Sequence, residues 1–329
     1  MIRLSVIIPC RNESKYIDRC VESIVNQDFP KEEMEVLFVD GMSTDGTREV
    51  LSQYCEKYGF MRMLDNPEFI VPKAMNIGIR QSAGDVVMRL DAHSAFEPVY
   101  MSTLVAKLYE LDADNVGCVC QTDVKGHNSK SLAIKAVLSS RFGVGNSDFR
   151  TGVSNVMLVD TVPFGCYRRS VFEKYGLFDE RLVRNQDIEF NKRIVNGGGR
   201  IYLIPQALFT YFARDSFSAM SHNNYSNGLW NILTVKLTGR LTSLSVRHFV
   251  PMLFLLSIIV PLLLMSVDLR FGLVTVASVT LYFILMSLVC LKSIVQYNDL
   301  KFKYLFVAFL VLHTSYGFGS LVGLFTFRK

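Results

Sequence analysis

Three long apolar runs near the C-terminus constrain the fold of this chain more than any other feature of its sequence. They cover residues 249–267, 271–291 and 304–327, and none of them contains Asp, Glu, Lys or Arg. At a rise of about 1.5 Å per residue, even the shortest run reaches roughly 28 Å, close to the thickness of a bilayer core. Buried helices of a soluble core are the alternative, but such helices rarely run so far without a charge. The sequence therefore predicts a membrane region over residues 249–329 with about three transmembrane helices.

Basic residues flank the first two runs and predict the orientation of this region. They are Lys236, Arg240 and Arg247 before the first run, and Lys292, Lys301 and Lys303 after the second. Because Lys and Arg are enriched in cytoplasmic loops, we expect a multi-pass protein of the inner (plasma) membrane with a cytoplasmic N-terminal domain. The N-terminal apolar stretch is too short to predict a signal peptide. Three spans would leave Arg328 and Lys329 outside, against this rule, so a re-entrant third run stays an alternative.

The net charge of +5 is distributed unevenly along the chain. From Arg214 to the C-terminus there are 10 Lys/Arg and 3 Asp/Glu, a balance of +7, whereas the preceding residues carry 25 basic and 27 acidic residues, a balance of −2. The positive charge therefore lies beside the apolar runs, where basic residues flank membranes. No nucleic-acid partner is expected.

The segment of residues 222–248 precedes the first apolar run. Apolar residues recur in it at roughly helical spacing, and basic residues occupy polar positions between them. The apolar residues are Leu229, Trp230, Leu233, Leu237, Leu241 and Leu244. This pattern predicts an interfacial amphipathic helix, with Trp230 suited to the headgroup zone. A helix packed on the soluble domain is the alternative.

Residues 1–221 alternate between short apolar strands and amphipathic helices. Strands are predicted at residues 4–9 and 35–40 and in the stretch that ends at Asp91, and helices at 13–27, 47–58 and 73–81. This order is typical of an α/β domain with a mainly parallel, doubly wound, Rossmann-like sheet. Such sheets bind ligands beyond the carboxyl ends of their strands. Since Asp40 and Asp91 both end a strand, both are predicted to face a ligand cleft.

Four motifs in this order resemble those of glycosyltransferase family 2, a family of inverting enzymes with the GT-A fold. The motifs read "LSVIIPCRNE", "VDGMSTDGT", "RLDAHSAF" and "RNQDIEFNKRI". Further likeness to the ExoA-like branch of exopolysaccharide (succinoglycan) biosynthesis lies in "NPEFIVPKAMNIGI", "FGCYRRSVFEKYGLFDERLVRNQD" and "HTSYGFGSLVGL". The resemblance covers nearly the whole chain. It implies a GT-A catalytic domain over residues 1–221, followed by the membrane region.

The resemblance also implies a donor site for a nucleotide-sugar, with a UDP-sugar expected. In the family, the residue that matches Asp40 contacts the nucleotide base, and those that match Pro9, Arg11 and Glu13 lie around the nucleoside. The residue that matches Asp91 faces the sugar diphosphate. For Asp91, binding to the ribose or contact through water stays an alternative.

A divalent metal, Mn²⁺ or Mg²⁺, is implied by the family's D-x-D position, which here holds Asp91 and His93. Departure of a nucleoside diphosphate leaves negative charge that a hard cation neutralises. His93 departs from the plain pattern, and an imidazole ligand favours Mn²⁺. The alternative for His93 is a turn histidine that hydrogen-bonds to the backbone.

The fourth motif implies that Asp187 is the general base, which removes the proton from the acceptor hydroxyl. Inverting transfer needs one such base, opposite the leaving group. Glu189 lies two positions further on, so on a helix the two acids diverge by about 200° and only one faces the cleft. The alternative for either acid is a helix N-terminal carboxylate stabilised by the helix dipole.

Four further residues are tentative contacts for the acceptor. Arg141 and Arg150 lie in a Gly-rich, polar stretch at residues 141–152, which is predicted to be a mobile loop near the acceptor. Arg214 and Trp230 are suggested by the resemblance alone.

The leading hypothesis is a membrane-bound inverting glycosyltransferase that moves a sugar from a nucleotide donor to a lipid-linked (polyprenyl diphosphate) saccharide acceptor in polysaccharide biosynthesis. Transfer to polyprenyl phosphate and processive polymerisation are related alternatives. A non-catalytic membrane scaffold or transporter with a degenerate nucleotide-sugar fold is the alternative of another class.

Overall fold

The computed structural model of the chain describes residues 2–124, 126–213 and 216–326. Within these residues, nine strands form one sheet. The strands are β1 (Leu4–Cys10), β2 (Met34–Asp40), β3 (Met61–Asp65), β4 (Val86–Arg89), β5 (Ala95–Phe96), β6 (Asn115–Asp123), β7 (Met157–Leu158), β8 (Cys166–Arg168) and β9 (Ile201–Phe212).

The described residues also form thirteen α-helices. The first nine are α1 (Ile17–Val25), α2 (Thr47–Lys57), α3 (Val71–Gln81), α4 (Tyr100–Glu110), α5 (Ser129–Leu138), α6 (Arg141–Val144), α7 (Asp148–Thr151), α8 (Ser170–Tyr175) and α9 (Gln186–Asn196). The last four are α10 (Phe217–Thr238), α11 (Val250–Leu264), α12 (Phe271–Gln296) and α13 (Phe302–Phe325).

The sheet combines a parallel and an antiparallel half, in the order β3-β2-β1-β4-β8-β6-β9-β5, with β7 paired to β9. Strands β1 to β4 pair in parallel. Strand β8 runs antiparallel to β4 and β6, and β9 runs antiparallel to β5 and β7. Helices α1, α2 and α3 supply the crossovers that parallel neighbours require. The predicted α/β class is confirmed, and β1 to β4 form its continuous parallel part.

Strands β1 and β2 form the centre of the parallel half because each is an almost unbroken apolar run. Strands covered on both faces are apolar throughout rather than alternating, and residues such as Ile7 are fully buried. The register pairs Cys10 with Asp40 and Ile7 with Arg89. The carboxyl ends of β1, β2 and β4 therefore meet at one edge of the sheet, where the chain becomes polar.

Contacts divide the chain into two compact units, which we describe separately. The first unit contains Met1–Gln121 and Gly152–Tyr211, and the second contains Thr122–Thr151 and Phe212–Lys329. The division expected from the sequence placed residues 122–151 in the catalytic domain. In the structure this segment groups with the C-terminal helices.

Helix α10 differs from the interfacial amphipathic helix predicted over residues 222–248. It ends at Thr238 and is followed by Gly239, whose φ of 67° is incompatible with a continuing helix. Residues 230–234 are all buried, whereas an amphipathic surface helix keeps one exposed face. Helix α10 packs instead against α13, and Trp230 is buried. The expectation of one helix over residues 222–248 is therefore wrong, because α10 ends at Thr238, whereas the interfacial location stays a prediction.

Three helices of the described residues are long and apolar enough to cross a membrane. They are α12, α13 and the stretch Val246–Leu264, which joins a short 3-10 turn to α11. These helices agree with the three predicted apolar runs to within a few residues at each end, and α13 is continuous from Phe302 to Phe325.

Candidate active site

Asp40 is the residue around which the loop after β2 is built. Its side chain is fully buried and accepts hydrogen bonds from the Ser43 N–H at 2.9 Å, the Ser43 hydroxyl, and Arg48 at 2.7 Å. Arg48 also binds Asp65, at the end of β3, at 2.8 Å. A buried carboxylate requires such partners. Asp40 thus organises the loop at the carboxyl edge of the sheet, and its contact with a nucleotide base stays a prediction.

Arg11 and Phe69 stack on each other beside this loop. The Arg11 guanidinium lies 4.5 Å from the centre of the Phe69 ring. Gly41 leaves room for Arg11, since a Cβ on Gly41 would lie 3.2 Å from the Arg11 Cδ. Phe69 has a φ of 65°, which is rare for a bulky residue. Its loop is joined to β2 by the Asn66 N–H, which donates to the Asp40 carbonyl at 2.8 Å. Arg11 is therefore placed at the same edge as Asp40.

Glu13 and His93 bring the first and third motifs together. The His93 Nδ1 lies 3.6 Å from the Glu13 Oε1, and both side chains are partly exposed. The Glu13 N–H donates to the Thr47 hydroxyl at 2.9 Å, which joins it to the start of α2. Pro9 lies within β1, opposite Val39 of β2. Of the predicted nucleoside residues, Pro9 is therefore part of the sheet, whereas the Glu13 side chain reaches the surface.

Arg89 is a buried cation at the end of β4, and it was not among the site residues predicted from the motifs. Its Nε and Nη2 both donate to the Asp91 Oδ1, at 3.1 and 3.0 Å. Burial alone would lower the pKa of Arg89, but the charges of Asp91 and Asp187 outweigh it and raise that pKa. An arginine within an otherwise apolar strand could have indicated a nearby acidic partner, because a buried charge is costly unless it is paired.

The surroundings of Asp91 fit a divalent cation that is held mainly by a substrate. Arg89 occupies the Asp91 Oδ1, and no described residue donates a hydrogen bond to Oδ2. Within the described ranges, no three His, Cys, Asp or Glu side chains converge closely enough to hold a metal by themselves. Mg²⁺ is commonly bound by one or two carboxylates together with substrate phosphates. Asp91 and His93 can therefore hold such a cation only if the oxygens of a diphosphate supply the remaining metal ligands.

The two acids of the fourth motif have different surroundings near the start of α9. Glu189 is buried and forms a two-point ion pair with Arg193, at 3.0 and 2.6 Å. Arg193 also donates to two backbone carbonyls near the end of α8. Asp187 is half-buried, and its carboxylate accepts a hydrogen bond from the N–H of the next residue, Ile188. Glu189 is therefore held in a structural ion pair, and a catalytic role for Asp187 stays a prediction.

Asp91 and Asp187 share the electrostatic influence of Arg89 although they are far apart in sequence. Both charges stabilise the charged form of this guanidinium. Burial raises the pKa of Tyr167, on β8, and the charge of Asp187 raises it further while Arg89 opposes the rise. The third and fourth motifs therefore each contribute an acid whose charge acts on one buried cation, which lies on β4, with β1 between it and β2.

Two buried cysteines beside these acids are neutral thiols. Burial raises the pKa of Cys10 far above its usual range, and Asp40 raises it further. Burial also raises the pKa of Cys20 to about 12, with a further contribution from Asp91. Only a thiolate is a strong nucleophile, so the site chemistry belongs to the carboxylates.

Three of the four tentative acceptor residues lie in the second unit. Arg141 lies in α6, Arg150 in α7 and Trp230 in α10, all in the second unit. The stretch at residues 141–152, predicted as a mobile loop, is therefore largely two short helices. Arg214 lies outside the described residues.

The sequence matches the family described as "Glycosyl transferase family 2" over residues 5–176, just over half of the chain. This range includes the predicted donor and metal residues and ends before Asp187. It contains β2 to β8 and nearly all of β1, and therefore the whole parallel half of the sheet.

Two relatives are similar in sequence to this chain over more than 200 residues each. The chain is 29% identical over 272 residues to "Dolichyl N-acetyl-alpha-D-glucosaminyl phosphate 3-beta-D-2,3-diacetamido-2,3-dideoxy-beta-D-glucuronosyltransferase" of Methanococcus voltae, covering 80% of this chain and 83% of that protein. It is 29% identical over 211 residues to the succinoglycan biosynthesis protein ExoA of Rhizobium meliloti, covering 64% of this chain and 63% of ExoA. The match to ExoA thus spans less than two thirds of that protein.

A solved structure resembles this one over almost its full length. It is the mannosyltransferase PcManGT from Pyrobaculum calidifontis, in complex with GDP-Man and Mn²⁺. The TM-score is 0.61 at 16% identity, with 98% of this chain and 87% of that chain covered. At this low identity, the likeness is evidence for the fold alone.

Proposed function

Because the chain belongs to glycosyltransferase family 2, we propose that it is a membrane-bound inverting enzyme that transfers a sugar from a nucleotide-sugar to a lipid-linked saccharide acceptor. Membership of the family makes it a glycosyltransferase with the GT-A fold, as its four motifs predict. The donor nucleotide, the metal, the acceptor and the orientation in the membrane are the proposed parts.

The observation that carries the proposal is the ion pair between Arg89 and Asp91, together with the charge of a second acid that acts on Arg89. Asp91 accepts two hydrogen bonds from Arg89, and the charge of Asp187 acts on the same guanidinium. A transferase of this kind needs one acid toward the donor diphosphate and another toward the acceptor hydroxyl. This arrangement supports Asp91 in the first role and Asp187 in the second.

Asp187 acts as the general base in the proposed reaction. Its carboxylate accepts the proton of the acceptor hydroxyl while that oxygen bonds to the anomeric carbon of the donor sugar. The bond from this carbon to the nucleoside diphosphate breaks on the opposite face, and the configuration inverts. The ion pair between Glu189 and Arg193 fixes the first turns of α9 and so helps to position Asp187.

Asp91 and His93 would hold Mn²⁺ or Mg²⁺ together with the donor diphosphate. Such a cation neutralises the charge that develops on the leaving phosphate oxygens. Arg89 fixes the Asp91 carboxylate through Oδ1, so Oδ2 is presented to the ligand in one orientation. Arg11, Glu13 and Asp40 complete the donor side around the nucleoside.

A lipid-linked acceptor and a membrane location are supported by the apolar helices and by the relatives. The name of the Methanococcus relative describes transfer to a dolichyl-linked sugar phosphate, and ExoA acts in succinoglycan biosynthesis. A polyprenyl diphosphate acceptor would remain in the bilayer, where a membrane-bound enzyme meets it. We propose that catalysis occurs on the cytoplasmic face of the plasma membrane. Arg141, Arg150, Arg214 and Trp230 remain proposed acceptor contacts.

The test is a donor screen with membranes that contain the full chain. Membranes and lipid extract are incubated with labelled UDP-sugars and with labelled GDP-mannose, with and without EDTA. We expect one donor, a UDP-sugar, to label the lipid fraction, with loss of labelling in EDTA and recovery on addition of Mn²⁺. Mass analysis of the labelled lipid then separates diphosphate-linked from phosphate-linked acceptors. No transfer from any donor would instead support a non-catalytic scaffold.

A further inference from the structure

The loop after β3 presents an exposed aromatic ring at the carboxyl edge of the sheet. Phe69 is 47% exposed, although an aromatic side chain stabilises a fold mainly when it is buried. Its φ of 65° lies in the left-handed region, which bulky residues rarely adopt. Neither burial nor local conformation therefore favours a phenylalanine at this position.

The loops after β1 and β2 contain residues in the same conformation. Asn12 has a φ of 56° and Met42 has a φ of 53°. Strands β1, β2 and β3 pair in parallel, so all three loops leave one edge of the sheet. Strained backbone persists where the surrounding structure holds it, and it clusters at sites that bind ligands. The three loops together are therefore the candidate surface for a ligand.

Asn66 holds the backbone around Phe69. Asn66 is buried, its N–H donates to the Asp40 carbonyl at 2.8 Å, and its side-chain amide donates to the Ile70 carbonyl at 3.0 Å. The Phe69 N–H donates to the Asn66 carbonyl at 3.2 Å. The position of the Phe69 ring is therefore fixed through its backbone and does not depend on burial of the ring.

Arg11 is the residue that lies over this ring. Its guanidinium carbon is 4.5 Å from the centre of the Phe69 ring, and its side chain is exposed. Among the described residues, none forms a hydrogen bond or an ion pair with the Arg11 guanidinium. A planar cation that stacks on an aromatic ring and keeps its N–H donors unpaired is suited to a planar, polar ligand.

Asp40, the acid expected to meet the base, has no acceptor position left. Its side chain is fully buried. Its Oδ1 accepts hydrogen bonds from the Ser43 hydroxyl and from the Cys10 thiol at 3.9 Å. Its Oδ2 accepts from the Ser43 N–H at 2.9 Å and from Arg48 at 2.7 Å. Because a carboxylate has about four acceptor sites, those of Asp40 are all used within the protein.

We propose that Arg11 and Phe69 form a stacking platform for the base of the donor, and that Asp40 positions this platform without touching the base. Bases stack on aromatic rings and on the planes of arginine side chains. Asp40 acts through its carbonyl, which receives the Asn66 N–H, and through its carboxylate, which holds the loop that contains Gly41. The inference rests on the proposed nucleotide-sugar donor and names the residues that hold its base.

Stacking on the platform and hydrogen bonding to Asp40 predict different selectivity for the base. A carboxylate only accepts hydrogen bonds, so Asp40 could meet only the N3–H of uracil, which cytosine lacks. Sites that hydrogen-bond to a ligand group strongly reject ligands without it, whereas stacking tolerates every base. We expect UDP and CDP to bind to within about tenfold of each other, by calorimetry with the full chain in detergent. A larger preference for UDP would overturn the proposal.

Substitutions at Phe69 test the platform directly. Phe69→Asn removes the ring but tolerates the left-handed conformation, whereas Phe69→Tyr keeps the ring. Phe69→Asn is expected to weaken UDP binding about tenfold, and Phe69→Tyr to leave it within about twofold. Neither variant should change the binding of ribose 5-diphosphate, which has no base, whereas a merely structural loss would weaken both ligands. Unchanged UDP binding by Phe69→Asn would overturn the platform.

Tyr109 offers a matched control at the opposite edge of the sheet. It is 44% exposed, and the Arg168 guanidinium lies 5.1 Å from its ring centre. Arg168 pairs with Val86 at the start of β4, whereas Arg11 follows the end of the parallel strand β1. Tyr109→Ala is expected to leave UDP binding within about twofold, because it removes a ring that no base meets. Equal losses for Tyr109→Ala and Phe69→Asn would overturn the proposal.

Failure of the platform and failure of the proposed function give different results. If Phe69→Asn weakens UDP binding as expected but membranes transfer no sugar, the platform stands and the proposed transfer fails. If sugar is transferred but both Phe69 variants bind UDP as the unchanged protein does, the platform fails and the transfer stands. If the unchanged protein binds neither UDP nor CDP, the platform and the proposed UDP-sugar donor are both overturned.

Discussion

The two units of the molecule differ in charge and in the environment that their surfaces fit. The first unit carries 20 Lys/Arg and 25 Asp/Glu, a formal charge of −5, whereas the second carries 15 and 5, a formal charge of +10. The apolar strands of the first unit are buried, whereas α11 and α12 of the second unit expose many of their apolar side chains. Exposed apolar surface on this scale indicates an interaction site. The candidate site and the proposed attachment to the membrane thus lie in different parts of the chain.

The units also differ in how their helices and strands are held together. In the first unit, buried charges are paired: Asp40 with Arg48, and Asp91 with Arg89. In the second unit, glycines bring backbones together; a Cβ on Gly228 would lie 1.9 Å from the Tyr316 carbonyl oxygen. Different kinds of substitution should therefore destabilise the two units. Removal of a charge should damage the first, and addition of a methyl or larger group should damage the second.

The largest effect is expected for Asp187→Asn, which tests whether catalysis depends on this acid of the first unit. Loss of the general base should lower kcat by about 10²–10⁴-fold. Donor binding, measured by calorimetry with a non-hydrolysable analogue, should stay within about threefold. Glu189→Gln is the control two positions away, and it should act mainly on stability because it breaks the pair with Arg193. Full turnover by the Asp187→Asn variant would contradict the assignment of Asp187 as the general base.

The second-largest effect is expected for Arg89→Met, which removes the buried cation of the first unit. Breaking a buried ion pair leaves Asp91 without its partner and should cost about 3–5 kcal/mol of unfolding free energy. Unfolding in urea, followed by near-ultraviolet circular dichroism, measures this cost. Arg89→Lys keeps the charge and should recover part of the stability, but it loses the two-point contact with Asp91. If the Arg89→Met variant were as stable as the unchanged protein, Arg89 would not hold the site together.

A smaller effect is expected for Gly319→Leu, which tests the close packing of the second unit. The added side chain would collide with the Tyr225 carbonyl and should cost about 1–3 kcal/mol. Thermal unfolding in detergent should detect it, while donor binding by the first unit should be unchanged. Gly59→Ala is the control, since no heavy atom lies within 4 Å of a Cβ there. Equal melting temperatures for the two variants would contradict the tight α10–α13 contact.

The smallest effect is expected for Glu35→Gln, which tests charge pairing in the sheet of the first unit. Burial alone would raise the pKa of Glu35, but hydrogen bonds from the Ala83 N–H, the Ser5 hydroxyl and Arg62 outweigh it and hold the pKa below its usual value of 4.5. A depressed pKa in the folded state stabilises the protein above the unfolded-state pKa, and this contribution is lost as the pH falls through the folded-state pKa. We expect the variant to be about 1 kcal/mol less stable at pH 7.

Urea unfolding at several pH values measures this difference. It should be constant above about pH 5 and shrink as the pH falls below about 4.5. A difference that grows in acid would contradict the direction of the Glu35 shift.

Much of the first unit was predictable because local patterns are strong there. Apolar strands followed by Asp40 and Asp91 predicted the polar edge of the sheet. The antiparallel half was not predicted, since β5, β7 and β8 have only two or three residues each and show no periodicity. The pairing of Arg89 was missed for a related reason, because sequence spacing does not reveal which charge a buried arginine meets.

The sequence by itself determined which segments are apolar, which strand ends are acidic and which family the chain belongs to, because these properties are carried by local runs of residues. Only the tertiary structure decided that Asp187 acts on the same cation as Asp91, and that α10 is buried along α13. Those outcomes depend on contacts between residues far apart in the chain. The free energy of burying a charge or a helix face is set by its partners in space, and the sequence does not name them.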